Sequence, residues 1–275
     1  MNPLELRGIT KRRDGFTLGP LDLVVPRGYV MGFVGANGAG KTTTIKIALG
    51  LGRPDGGTVG LLDHARVGVV QDAPAYVGEW SAAEVGRAVG PFYPDWDAAG
   101  FAQLLAWAGI DPTKRVKALS RGMGMKLQLA VALSHGAELL ILDEPTSGLD
   151  PLARSELLDM VAEFMTVESH SVLFSTHITT DLEKIADYIT VIDDGRIVAS
   201  TTCDELVDAY RMVRGAASDL DADLRPLVHG LREHGAGWEG LIATEDTVAL
   251  GRSAVAEQPS LEEIVVHLAK EHRHV

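Results

Sequence analysis

Residues 35–43 read Gly-Ala-Asn-Gly-Ala-Gly-Lys-Thr-Thr and follow directly on the apolar run Val30-Met31-Gly32-Phe33-Val34. A strand, a glycine-rich loop, a lysine and two hydroxyls in that order make a phosphate cradle. Gly35, Gly38 and Gly40 permit backbone conformations that turn successive N–H groups inward around an anion, and a helix opening at Lys41 adds its positive dipole end. A second source of chemistry is Leu139-Leu140-Ile141-Leu142 followed by Asp143 and Glu144, an apolar strand that delivers two adjacent carboxylates. In phosphoryl-transfer sites the first such acid holds Mg²⁺ and a second can activate water. Gln71 follows the run Val67–Val70, and His177 follows Val172–Ser175. An open parallel sheet binds its ligand at the carboxyl ends of its strands, so one site can collect the loop after Val34, Gln71, Asp143, Glu144 and His177.

The elements that must position these groups are legible as apolar runs alternating with segments of helical period, the pattern of a largely parallel sheet flanked by helices. Strands are expected at 4–9, 21–25, 29–34, 67–70, 139–142, 172–175, 189–192 and 196–199, with those near the start and those after Tyr188 forming an antiparallel edge. Between Gln71 and Leu119 the strand signal vanishes. Helices at 81–89 and 97–108, separated by Pro91-Phe92-Tyr93-Pro94, predict a helical insertion. After Arg214 the character changes to moderate polarity and weaker periodicity, beginning at Gly215-Ala216-Ala217-Ser218, which predicts a small appended unit. Its last helix is signalled by a capping box at Ser260 and Glu263 and by Leu261, Ile264, Val265 and Leu268 on one face.

Composition narrows the partners. The 275 residues are 46% hydrophobic and 23% charged, an ordinary globular balance that can bury a full core. A formal net charge of −13 argues against a nucleic-acid partner, because only Lys11-Arg12-Arg13 is densely basic. No apolar stretch approaches the length of a membrane span, and the N-terminal residues lack the regions of a signal peptide, so the expected location is cytoplasmic. Cys203 is the single cysteine and reads as a small packing residue.

Leu119-Ser120-Arg121-Gly122-Met123 opens a further helix through Lys126, Leu127, Leu129, Ala130 and Leu133, with Ser120 a credible N-cap. Taken in order with the phosphate loop, the Asp143-Glu144 strand, Ser147-Gly148-Leu149-Asp150 and His177, it resembles the ATP-binding subunit of ABC transporters over roughly residues 1–214. The resemblance implies an α/β fold of the P-loop NTPase type: a mixed, largely parallel core sheet, an antiparallel β edge subdomain, an inserted helical subdomain at about 72–125, and residues 215–275 as a small C-terminal α/β appendage.

It also implies roles. ATP would lie on Gly35, Asn37, Gly38, Ala39, Gly40, Lys41, Thr42 and Thr43, with Lys41 at the β- and γ-phosphates and Thr43 on the α-phosphate side. Thr42, Gln71 and Asp143 would hold Mg²⁺. Glu144 would act as general base, Gln71 would contact the attacking water, and His177 would bridge the γ-phosphate to a partner subunit. Residues 119–123 match the family signature, where Arg121 replaces a usual glycine and Met123 a usual glutamine; Ser120 and Gly122 would contact ATP on the opposing subunit. The role of Arg121 stays open. Asp150, before Pro151, is a good helix N-cap and in the family also communicates across the dimer. The aromatic residue that the family places before the phosphate loop to stack on adenine is replaced here by Arg12 and Arg13, leaving Phe16 or an arginine plane as candidates.

The expected function is therefore ATP hydrolysis by a second-copy-dependent subunit, homodimeric or paired with a paralogue. It powers separate transmembrane permease subunits and sits peripherally at the inner membrane face. Phe92–Asp97 and Ser175–Asp187, with the short spacer from Lys41 to Gln71, resemble a bacterial exporter subgroup related to antibiotic and peptide efflux. A soluble ABC ATPase of ribosomes or DNA and a nucleotide sensor with little turnover stand as alternatives.

Overall fold

The computed structural model describes residues 2–235, 237–251 and 254–271. Met1, at the head of the expected ATPase unit, and residues 236, 252, 253 and 272–275 of the expected C-terminal unit lie outside the described residues. The strand β1 (Leu4–Arg13) pairs antiparallel with β2 (Phe16–Val25); β3 (Val30–Val34) leads into α1 (Lys41–Ala48); and β4 (Gly56–Leu61) returns to the free side of β1. Pattern reading misses β4 because its Gly-Gly-Thr-Val-Gly-Leu stretch is largely solvent-facing and has no apolar run of its own. Pairing with β1, Leu4 opposite Leu61 and Leu6 opposite Val59, is what makes it a strand.

The chain continues through β5 (Val67–Val70), α2 (Ala82–Val89), α3 (Ala98–Trp107), α4 (Arg121–Leu133), β6 (Leu139–Asp143), α5 (Pro151–Phe164), β7 (Ser171–Thr176), α6 (Thr179–Ile185), β8 (Tyr188–Asp193) and β9 (Arg196–Thr202). The core sheet has six strands in the order β5-β6-β7-β3-β8-β9. Its strands β3, β6 and β7 are buried along their whole length, as parallel strands covered on both faces must be, and this is why each carries an apolar run, with Asp143 at the end of β6 and Ser171, Ser175 and Thr176 at the ends of β7. The antiparallel edge expected after Tyr188 is the β8–β9 pair, Tyr188 opposite Thr202, but β8 also belongs to the parallel core, with Gly32 of β3 opposite Ile189. The crossover helix α6 between β7 and β8 returns the chain to the same end of the sheet, which fixes β8 as parallel.

In the insertion, Ser81 and Glu84 form a capping box on α2, and Asp97 caps α3. Phe101 and Leu105 pack there with Leu127, Ala130 and Val131 of α4. The same helix puts Met125, Leu129 and Ala132 into the core-sheet cluster, so α4 belongs to both cores at once. Tyr93 stacks on His135 at 4.0 Å and Trp96 tilts against Phe101, while Phe92 is 81% exposed.

The C-terminal part contains α7 (Cys203–Ala209), β10 (Tyr210–Gly215), β11 (Val228–His234), β12 (Gly237–Ala243), β13 (Val255–Glu257) and α8 (Leu261–Glu271). Four of these strands form a separate antiparallel sheet, β11-β12-β10-β13, and β10 ends at Gly215, where the sequence change begins. The expected cap of α8 is present, with Ser260 N–H donating to Glu263 and Glu263 N–H donating to Ser260 Oγ. Leu261, Ile264 and Leu268 pack in one cluster with Leu182, Ile189 and Leu206, which ties this helix to the core of the first unit.

Candidate functional site

Gly35 ends β3 where a side chain has no room: a Cβ there would stand 2.2 Å from the Ile192 carbonyl oxygen. At Gly38 and Gly40 the backbone takes φ of +86° and +115°, conformations that L side chains rarely adopt, and the loop folds into a turn before α1. Lys41 then points back into its own loop. Its Nζ donates to the carbonyl oxygens of Gly35 at 2.6 Å and Ala36 at 3.2 Å, and the residue is only 5% exposed. An ammonium so buried needs a counter-charge, and Glu144 Oε1 supplies it at 3.0 Å.

Glu144 is reached from the other side of the sheet centre. It leaves β6 with φ of +53°, in the left-handed region, and its N–H donates to the Ser175 carbonyl at 2.9 Å. A non-glycine residue held there marks a turn that its surroundings over-determine. His177, just past β7, places Nδ1 2.7 Å from Glu144 Oε2, so the carboxylate sits between an ammonium and an imidazole. Asp143 is 6% exposed and accepts hydrogen bonds from Ser175 Oγ at 3.1 Å and from the Thr42 hydroxyl. Burial pushes the Asp143 carboxyl above the usual carboxylate range; the Thr42 and Ser175 hydroxyls pull it down, and the Glu144 charge pushes it up further. Lys41, Thr42, Asp143, Glu144 and His177 thus form one contact network built from three neighbouring strand ends.

The remaining expected groups lie around that network. Gln71 follows β5, which is separated from β3 by β6 and β7, so about 14 Å of sheet lies between the two strand ends at the usual strand spacing. Ser120 caps its own helix through Oγ and the Met123 N–H, and Gly122 packs near Ala153 and Leu149. Asp150 caps α5 by accepting from Leu152 and Ala153 N–H. Asn37 and Gly38 are exposed at the loop tip, Ala39 is buried with its carbonyl accepting from Gly195 N–H, and Thr43 is half-buried. Phe16 lies against the loop, its ring edge 3.1 Å from where a Cβ on Gly40 would be.

Two supporting residues escaped the sequence reading. Ser175 anchors Asp143, and Gln128 bonds to the backbone of Gln71. Gln128 carried a signal, a single amide among the inward Leu127, Leu129 and Ala130, whereas a serine inside a buried strand carried none.

A family model described as "ABC transporter" matches residues 18–147, which span the loop and both carboxylates. The Nod factor export ATP-binding protein I of Cupriavidus pinatubonensis is 35% identical over 222 residues, covering 75% of this chain and 68% of that protein. This chain belongs to the ABC transporter ATP-binding family. The bacitracin transport ATP-binding protein BcrA of Enterococcus faecalis is 31% identical, over 74% of this ABC ATPase and 70% of the relative. A solved structure described as the ATP binding subunit of an ABC transporter superposes with a TM-score of 0.67 at 27% identity, covering 74% of this chain and 91% of the other. The ABC ATPase therefore has the P-loop NTPase fold, binds ATP and is an ATP-hydrolysing subunit of a transporter. No helix among its described residues is long and apolar enough to cross a membrane.

Proposed function

We propose that this ABC ATPase hydrolyses ATP as one half of a dimer and powers export through a separate permease at the inner membrane face. The observation that carries the site is the buried Lys41 ammonium, held by two loop carbonyls and by Glu144 at the strand ends. A phosphate entering the loop competes with Glu144 for that ammonium. Once Lys41 turns to the β- and γ-phosphates, Glu144 loses a counter-charge and becomes free to accept a proton from water at its carboxylate oxygen. His177, bonded to the other oxygen of Glu144, holds the carboxylate in place and would bridge the γ-phosphate to the second subunit. The backbone of residues 35 and 37–43 would wrap the phosphates. Ser120 and Gly122 of a second subunit would close over the γ-phosphate, with Asp150 at the dimer boundary.

The donors present suit Mg²⁺. They are hard oxygens, and a buried carboxyl that resists ionisation alone is stabilised by a cation. Thr42, Gln71 and Asp143 would hold the ion, and when bound it neutralises charge on the phosphate oxygens.

The export direction is supported by the relative that acts in Nod factor export; a daunorubicin/doxorubicin resistance ATP-binding protein of Streptomyces peucetius, 33% identical, agrees with it. The test starts from membranes. The full chain used as bait should retain one permease, and the reconstituted pair, with the ATPase facing outward on the vesicle, should accumulate cargo inside on adding ATP. ATP-driven loss of preloaded cargo from the same vesicles would reverse the direction. Recovery of ribosomes or DNA in place of a membrane protein would overturn the transport reading.

A further inference from the structure

We infer that Gln128 is a positioning residue for Gln71, and that one stripe of α4 formed by Arg121, Gly124 and Gln128 clamps residues 71–74 to the helix that carries the Ser120 segment. The inference rests on the reading that Gln71 meets the metal and the attacking water.

At 3.6 residues per turn, positions i, i+3 and i+7 share one helix face, and Arg121, Gly124 and Gln128 have that spacing. Each touches the chain that follows β5. Gln128 is only 3% exposed, and a buried primary amide must find partners for both its oxygen and its nitrogen. One residue supplies a partner to each: Oε1 accepts from the Gln71 N–H at 3.0 Å, and Nε2 donates to the Gln71 carbonyl at 2.9 Å and also reaches Met125 Sδ at 3.7 Å. The side chain of Gln128 thus does for Gln71 what a neighbouring strand would do, at a point where β5 is the outermost strand of its sheet. The peptide groups on both sides of Gln71 are tied to α4.

One turn earlier, a Cβ on Gly124 would approach Pro74 Cγ to 2.9 Å, so the missing side chain is what lets residue 74 lie against the helix. Two turns earlier, Arg121 pairs with the carboxylate of Asp72. The same guanidinium lies across Gly148, whose φ is +68° and where a Cβ would come 3.3 Å from Arg121 Nε. The arginine that replaces the usual glycine of the signature therefore has a partner on its own chain. It links the residue after Gln71 to the turn that ends in Asp150.

The consequence is mechanical. Because Ser120 begins the helix that grips Gln71, the start of α4 and Gln71 move as one piece. Seating of the Ser120 segment on a second subunit's nucleotide and arrival of Gln71 at its own become one displacement. α4 can carry it because its inward residues are packed in both the insertion core and the sheet core.

The test is a double-mutant cycle on steady-state ATP turnover by the full chain at saturating Mg-ATP. Gln128→Met keeps length and volume while removing both bonds to Gln71. Its kcat should fall roughly 10- to 100-fold, the usual effect of misplacing a reacting group by about 1 Å, with KM for ATP within about twofold of wild type. In a Gln71→Ala background the same substitution should change nothing further, because the route through Gln71 is already lost. If Gln71→Ala is slow but Gln128→Met is silent, or if the two effects add, the positioning role is wrong and the reading of Gln71 stands. If Gln71→Ala turns over like wild type, that reading fails and takes the inference with it. Should Gln128→Met not fold, the exposed pair decides. Arg121→Glu should lower kcat, and the exchange Arg121→Glu with Asp72→Arg should restore it; a silent Arg121→Glu, or no recovery on exchange, overturns the clamp.

Discussion

The carboxyl end of the core sheet and the C-terminal sheet use their charged residues in opposite ways. At the first, Lys41 and Asp143 are buried and Glu144 nearly so, and the backbone is bent into the left-handed region at Gly38, Gly40 and Glu144. At the second, the interior is Val213, Trp238 and Ile242, while Arg214 stays half-exposed and gathers Glu257 at 2.7 Å and Glu263 at 3.2 Å on the surface. Buried charge is costly and surface ion pairs contribute little, so the second arrangement is the one that stability alone favours. The first makes sense where a ligand will take over some of the pairings. The contrast separates a region organised for exchange of partners from one organised for packing.

The largest expected effect falls on the exchanging region. Glu144→Gln keeps the shape of the side chain and removes its charge, so ATP turnover should drop by on the order of 10²- to 10⁴-fold while ATP still binds. Near-normal hydrolysis by this variant, measured as phosphate release, would remove Glu144 from the role of base and leave its pairing with Lys41 purely structural.

In the packing region the effect should fall on stability instead. Trp238 is 1% exposed, and Trp238→Ala should lower the unfolding free energy by about 3–5 kcal/mol in a denaturant titration. Affinity of the folded variant for ATP should stay within about twofold of wild type. A variant that keeps its stability yet loses nucleotide affinity would break the division between the two regions.

The smallest effect comes from a buried polar group outside both. His135 donates Nδ1–H to the Ala65 carbonyl at 3.1 Å and stacks on Tyr93, and burial holds its pKa below the ordinary 6.5. The unfolded chain therefore takes up the proton first as the pH falls. The stabilisation is present above the unfolded pKa and is lost progressively as pH falls from there toward the lower folded pKa. His135→Phe should lose part of that acid sensitivity, so its thermal unfolding midpoint should fall less between about pH 6.5 and 5.5 than that of wild type. Parallel midpoints across that range would mean that the ring is not buried as a neutral group.

What could be read without coordinates followed from local chemistry. A loop that cradles phosphate needs glycines at fixed positions next to a lysine, so residues 35–43 are recognisable in isolation. Strands buried on both faces are apolar along most of their length, so the runs 30–34, 139–142 and 172–174 stand out in the same way. Caps are equally local, and Ser81 with Glu84, Asp97, Asp150, and Ser260 with Glu263 all occupy the cap positions their types suggest. The sequence by itself therefore determined the phosphate loop, the carboxylates that face it, the apolar strands and the helix starts.

Only the tertiary structure decided which distant groups meet. β4 is a strand because β1 offers it an edge, and β8 is parallel because α6 returns the chain to the same end of the sheet. Lys41 touches Glu144 because the strand order sets β3 and β6 on either side of β7, a fact no local pattern carries. Arg121 meets Asp72, and Gln128 meets Gln71, across 49 and 57 residues of chain. Pairings of that kind are fixed by how helices and sheets pack, which depends on every element at once, whereas a loop, a cap or a buried run is fixed by the few residues within it.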